Sequence, residues 1–140
     1  MQNKVVVHYR GGNVLKGQTY DFSPQRATFH LVTTDAGGVR KTHEVRVGEL
    51  KAVFFVKTFE GNKKYAEKKR FGEVGTTSPL GIKMKVTFYD GEVITGASAG
   101  YSKGRQGFFV TPIDPRSNNE RIYIVSDSVV DVKVGQAAAG

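Results

Sequence analysis

The sequence predicts an all-β protein: two tandem, duplicated five-stranded small barrels joined by a basic connector with a short helix. Three observations carry this. The passage HYRGGNVLKGQTYDFS returns later as TFYDGEVITGASAGYS, with Gly91 standing 79 positions after Gly12. That one offset runs without a gap through both halves, matching Val7 to Val86, Tyr9 to Phe88, Gly17 to Gly96, Phe22 to Tyr101, Phe29 to Phe108, Leu31 to Val110 and Val53 to Val132. Within each copy, short runs of period-two alternation are separated by Gly-containing turns, as antiparallel strands require.

The copies cover about residues 3–56 and 82–135, which gives a first barrel over 1–56, a connector over 57–81, a second barrel over 82–135 and a disordered tail over 136–140. In the first strand Val5, Val7 and Tyr9 alternate with Lys4, Val6, His8 and Arg10, placing one apolar row on one face. RGGN, answered by YDGE, is a tight hairpin turn in which Gly supplies positive φ. VLKGQTYDF returns antiparallel, and Gly17 in mid-strand marks a bulge or a sharp bend. TFHLVTT, THEVRV and KAVFFV follow as strands, and their counterparts are GFFVTPI, RIYIVS and VVDVKV. In the connector, NKKYAEKKRF has good helix formers and Asn62 as a cap, whereas GEVGTTSPLG is loop-like. Val53 to Lys57 and Ile122 to Ser126 are apolar enough to be liabilities as unpaired edges, so the barrels are expected to pack together or against another chain.

The net charge is +8, and it is uneven: residues 1–80 hold 14 basic and 7 acidic side chains, residues 81–140 hold 7 and 6. A basic excess of this kind suits a polyanion, since Lys and Arg displace counterions from phosphates. No Cys is present, which removes disulfides, thiolate metal sites and a cysteine nucleophile. No apolar run reaches the roughly 18 residues a membrane helix needs, and the expected location is the cytoplasm, with no membrane partner.

The apolar strand, the DG-type turn, VLKG or VITG, the aromatic-containing return and then FHL or FFV together resemble the first sequence motif of Sm-like proteins, the small bent barrels of the Hfq and LSm type. VRVGELKAVFFV looks like that family's second motif, and IVSDSVVDVKV is similar with Ser126 and Asp127 in the turn. The resemblance implies a tandem Sm-like repeat protein, with RNA contacts at the turns matching Tyr20 to Ser23 and Arg46 to Glu49. There Phe22 would stack on a base, and Arg46 and Gly48 would touch phosphate. It departs from the family in starting its first strand within a few residues of Met1.

Nucleic-acid candidates are therefore Phe22, Arg46 and the connector residues Lys63, Lys64, Tyr65, Lys68, Lys69 and Arg70, where basic groups neutralise phosphate and a ring stacks on a base. PIDPRSNNERIYI offers a Pro-shaped interaction loop with Arg116, Asn118, Asn119 and Arg121. Its Asp114, Asn118, Asn119 and Glu120 match no EF-hand spacing, so no metal is expected. DFSPQR approaches the D-x-S-x-x-G signature of cyclic-dinucleotide-binding PilZ domains, but Arg26 holds the Gly position and no R-x-x-x-R precedes it; Asp21 and Ser23 satisfying backbone groups is the simpler reading. His8, His30 and His43 each face a non-His in the other copy, and neither a nucleophile elbow nor a P-loop occurs. The sequence thus points to a non-enzymatic binding module without cofactor. Its sharpest expectation is single-stranded RNA, the alternative is a protein-interaction or regulatory adaptor, and assembly would be by homo-oligomerisation or by barrels pairing within the chain.

Overall fold

The structure, a computed structural model, describes residues 3–60, 81–101, 104–114 and 116–135. The strands are β1 (Asn3–Tyr9), β2 (Val14–Thr19), β3 (Thr28–Thr34), β4 (Arg40–Arg46), β5 (Leu50–Val56), β6 (Ile82–Phe88), β7 (Val93–Ser98), β8 (Gly107–Pro112), β9 (Asn119–Val125) and β10 (Val129–Val134). Single 3-10 turns, Val47–Glu49 and Ser126–Ser128, join β4 to β5 and β9 to β10. No α-helix occurs among the described residues, and the helix expected in the connector, like the tail, lies outside them.

The protein is all-β, as its alternation predicts, but the strands form one open antiparallel sheet of ten rather than two separate sheets. The order is β10-β6-β7-β8-β9-β5-β1-β2-β3-β4, so the sheet passes from one copy to the other where β5 pairs with β9. The physical reason lies in composition. KAVFFV and RIYIV are apolar on both faces, and strands buried on both sides pair with each other in preference to leaving their backbone groups at an edge.

Within each copy the register repeats at the sequence offset. Val5 faces Gly17 as Met84 faces Gly96, and Phe29 faces Val45 as Phe108 faces Ile124. Even the irregularity repeats. Tyr9 pairs with Leu50 and His8 with Ala52, leaving Lys51 as an extra residue; Phe88 pairs with Val129 and Thr87 with Asp131, leaving Val130. The hairpin turns carry Gly12 at φ 100° and Gly91 at φ 89°, the conformation the RGGN and YDGE passages call for.

Two cores result, and β5 divides its side chains between them. Leu50, Val53 and Phe55 join Val5, Val7, Phe29, Leu31 and Val45, while Ala52, Phe54 and Val56 join Met84, Val86, Phe88, Phe108 and Val110. β9 does the same, giving Tyr123 and Val125 to the first core and Ile122 and Ile124 to the second. All seven residues of β5 are consequently buried. At about 1.5–3 kcal/mol for each large apolar side chain removed from water, this shared strand pair is a principal source of stability. At Gly17 and Gly96, β2 and β7 press against the backbone of the next strand: a Cβ on Gly96 would lie 2.2 Å from the Thr111 carbonyl oxygen.

Candidate interaction surfaces

The seam between the copies uses much of the chemistry the sequence offers. On one side, the ring of Phe22 packs edge-on against Phe29, Phe55 and Tyr123 at centroid distances of 5.1, 5.3 and 5.1 Å, with Phe109 at 6.0 Å. The Arg121 guanidinium lies over Phe55 at 4.4 Å and over Phe109 at 4.5 Å. Gln106 Nε2 donates to the Arg26 carbonyl oxygen at 3.0 Å. Asn118 Nδ2 donates to the Thr58 carbonyl oxygen at 2.8 Å, and its Oδ1 accepts from the Thr58 amide at 3.1 Å. Asn119 stands opposite Val56 in the β5–β9 pair. Of the four loop residues expected to meet a partner, Asn119 and Arg121 therefore meet β5 of the first copy and Asn118 meets Thr58 just beyond it. Arg116 is exposed at the protein surface.

On the other side, Lys51 donates to Asp90 at 2.7 Å and to Glu92, both in the β6–β7 turn, and its ammonium lies 4.8 Å from the Phe88 ring centroid. Burial works against the Lys51 charge, but the hydrogen bonds it donates to both carboxylates outweigh this and hold the ammonium above its ordinary range. Asp90 is held below the usual carboxylate range by the same contact. His8, against Phe54 at 4.5 Å, is pushed below its ordinary value by burial and then by the Lys51 charge. Tyr89 Oη donates to the Arg10 carbonyl oxygen at 2.6 Å. A cleft of about 320 Å³ opens beside this cluster between His8, Lys16, Phe54, Phe59, Glu92 and Asn119.

Of the nucleic-acid candidates, Lys63, Lys64, Tyr65, Lys68, Lys69 and Arg70 lie outside the described residues. Phe22 is half-buried with its ring engaged in packing, and Arg46 is exposed at the end of β4. Asp21 accepts from the His30 amide at 2.9 Å and meets His30 Nδ1 at 2.7 Å, while Ser23 Oγ accepts from the Gln25 amide at 3.3 Å. Among the described residues no group of three or more His, Asp or Glu side chains could hold a metal ion. Sequence reasoning passed over Lys51, Asp90 and Glu92. The available signal was a lysine inside an apolar run whose counterpart is Val130, together with a turn that gains two carboxylates in the second copy.

The sheet ends at two edges of different character. The β4 edge exposes Arg40, Lys41, Glu44 and Arg46. The β10 edge exposes Val130, Asp131, Lys133 and Val134 and borders a cleft of about 390 Å³ formed by Tyr101, Gly104, Ser126, Val129 and Val132. Both present backbone groups that no strand among the described residues pairs.

No helix among the described residues is long and apolar enough to cross a membrane. No curated protein and no solved structure matches the sequence. A family of unknown function, DUF6982, matches over residues 1–135, nearly the whole chain, with both copies of the repeat inside the match. The chain belongs to the DUF6982 family.

Proposed function

We propose that this chain is a non-enzymatic binding module that receives an extended segment of a partner protein at an open sheet edge. The observation that carries this reading is the contrast between the seam and the two ends of the sheet. At the seam β5 lies between two strands with all seven residues buried; at β4 and β10 the ladder stops, with no further strand among the described residues. An exposed edge supplies main-chain hydrogen bonds to an added strand, and a flanking pocket supplies side-chain selectivity. The cleft beside β10 provides the second element. Each copy, in this reading, is an Sm-like small barrel whose strands surround a core that the other copy completes: β1, β3, β4 and β5 contribute to the first, and β9 adds Tyr123 and Val125. The polar clusters of the seam are occupied with one another, which suits an adaptor better than a catalyst.

The test is selection of extended peptides from a displayed library on the intact protein, followed by amide hydrogen exchange of each complex. Selected peptides should slow exchange in β4 or β10. Failure to select any peptide, or binding that leaves both edges exchanging as before, removes the proposal.

A second reading, binding of single-stranded RNA, is favoured by Arg40, Lys41 and Arg46 on one exposed edge, in the half of the chain that also holds the basic connector. Labelled RNA anisotropy at about 50 and 200 mM salt decides it, since phosphate contacts weaken steeply over that range and strand pairing does not. Changing Lys63, Lys64, Lys68, Lys69 and Arg70 to Ser should abolish such binding; no binding at the lower salt sinks it.

A further inference from the structure

We propose that the strand received at these edges belongs to a second copy of the same chain, with β10 of one molecule pairing antiparallel to β4 of the next. The inference rests on the edge-binding reading above and names its partner. Its basis is the chain's own repeat. The internal seam joins unlike surfaces: β5 of the first copy meets β9 of the second. At the offset of 79 that relates Gly12 to Gly91, β10 is the counterpart of β5, and β4 is the counterpart of β9. One molecule therefore carries a second version of each half of its own interface, one at either end of the sheet and neither paired by a further strand among the described residues. Contacts between unlike surfaces propagate head to tail, closing into a ring where the rotation permits and running on as a fibre where it does not.

The cleft beside β10 is an independent observation pointing to the same occupant. In the first copy, Phe22, Leu50 and Val53 share a core with Tyr123, which β9 delivers from the other copy. Their counterparts Tyr101, Val129 and Val132 line the cleft of about 390 Å³, and none of the described residues takes there the place that Tyr123 takes at the seam. What fits there is what β9 supplies, and its counterpart in the sequence is β4.

The internal register transfers directly. Val53 opposite Tyr123, Phe54 opposite Ile122 and Phe55 opposite Arg121 become Val132 opposite Glu44, Lys133 opposite His43 and Val134 opposite Thr42. The outer contact is the more polar version, because Ile122 and Tyr123 give way to His43 and Glu44. It is consequently weaker than the seam and reversible. Charge adds to the match: β4 sets Arg40, Lys41 and Arg46 against Glu44, while β10 and the turn before it set Asp127 and Asp131 against Lys133.

The absence of cysteine makes the register directly testable. Two double variants, His43→Cys with Lys133→Cys and Thr42→Cys with Val134→Cys, place thiols at neighbouring pairs. These alternate between hydrogen-bonded and non-hydrogen-bonded geometry, so at least one suits a disulfide. Mild oxidation should give a reducible ladder of covalent multimers, whereas Arg46→Cys with Lys133→Cys, three residues out of register, should not. Light scattering on the unaltered protein should show mass rising with concentration, and Val134→Arg, which sets a cation against the basic β4 edge, should weaken association about tenfold. A monomer at every concentration overturns the inference, as does a ladder equally strong in the out-of-register pair. Peptide selection that succeeds on such a monomer leaves the edge-binding reading standing and assigns the edges to another protein.

Discussion

Lys51 and Val130 hold the same position in the two copies, each the extra residue of the same bulge, yet the Lys51 side chain is 7% exposed and Val130 is 65% exposed. The backbone arrangement is thus a property of the repeat, and the environment is a property of the neighbour. Lys51 is covered because the second copy brings the Asp90–Glu92 turn over it, and Val130 has no third copy to cover it within the chain.

The Lys51 pairing should prove inexpensive to delete and costly to reverse. Asp90 and Glu92 keep side-chain exposures of 40% and 47%, so removing the ammonium leaves them facing water and strands no buried charge. Lys51→Met should therefore cost about 1 kcal/mol or less, whereas Lys51→Glu, which buries a third carboxylate among the two, should cost about 3 kcal/mol or more. Urea denaturation of both variants measures the difference; equal losses would refute this account of the cluster.

The mid-strand glycines should be intolerant of a single methyl group. A Cβ at Gly96 would meet the Thr111 carbonyl oxygen at 2.2 Å and Val110 Cγ1 at 2.4 Å; at Gly17 it would meet the Val32 carbonyl oxygen at 2.5 Å. Backbone carbonyls cannot swing aside as side chains do, so Gly96→Ala and Gly17→Ala should each cost about 3 kcal/mol. Gly11→Ala has nothing within 4 Å and should stay within about 0.5 kcal/mol of the parent in thermal unfolding. A Gly96→Ala protein as stable as Gly11→Ala would show that the bend does not require the close approach.

Much of this organisation was readable beforehand, because a duplication is visible in residues and period-two alternation fixes which way each side chain faces. The turn glycines follow from local rules, as do the strands to within about three residues of their limits, with VLKGQTYDF ending as a strand at Thr19. The joining of β5 to β9 does not. Apolar residues on both faces of KAVFFV and RIYIV indicate that each strand needs cover, but nothing local says that the two cover each other. The same gap explains Phe22. Its position in a turn suggested a ring offered to a base, whereas the rings of Phe109 and Tyr123, more than a full repeat further along the chain, come to pack on it. Lys51 shows the converse, a charge in an apolar run whose partners lie in the other copy.

Acid should loosen the fold in two stages. His8 is held below its ordinary value of 6.5, chiefly by burial, so the unfolded chain takes up its proton first and stability falls as pH drops below that value. Asp21 and Asp90 are held below the ordinary 3.8: at Asp21 burial acts in the opposite sense and is outweighed by the hydrogen bonds from His30, and at Asp90 the Lys51 contact leads. Their contribution is present above the ordinary value and disappears as pH falls through the lowered one. Thermal melts across the acid range should show the first stage removed in His8→Phe, which keeps a ring against Phe54, and the second unchanged. A first stage that survives the substitution would assign it to another group.

Phe22 and Tyr101 are counterparts whose loss should cost different amounts, and the difference measures what the seam adds. Phe22 packs against two rings of its own copy's core, Phe29 and Phe55, and two brought by the other copy, Phe109 and Tyr123. Tyr101 has Phe108 at 4.9 Å, packs partly buried against the second core and lines the cleft beside β10. Truncating a packed aromatic costs about 3–5 kcal/mol where the cavity cannot collapse. Phe22→Ala should fall in that range, and Tyr101→Ala should cost about 1–2 kcal/mol, since solvent already reaches one side of the ring and little new cavity forms. Denaturant titrations of the two variants at low protein concentration give the comparison. Equal costs would mean that the rings of the second copy contribute nothing to Phe22. A Tyr101→Ala cost that grows with protein concentration would show the β10 cleft to be filled in solution by another molecule.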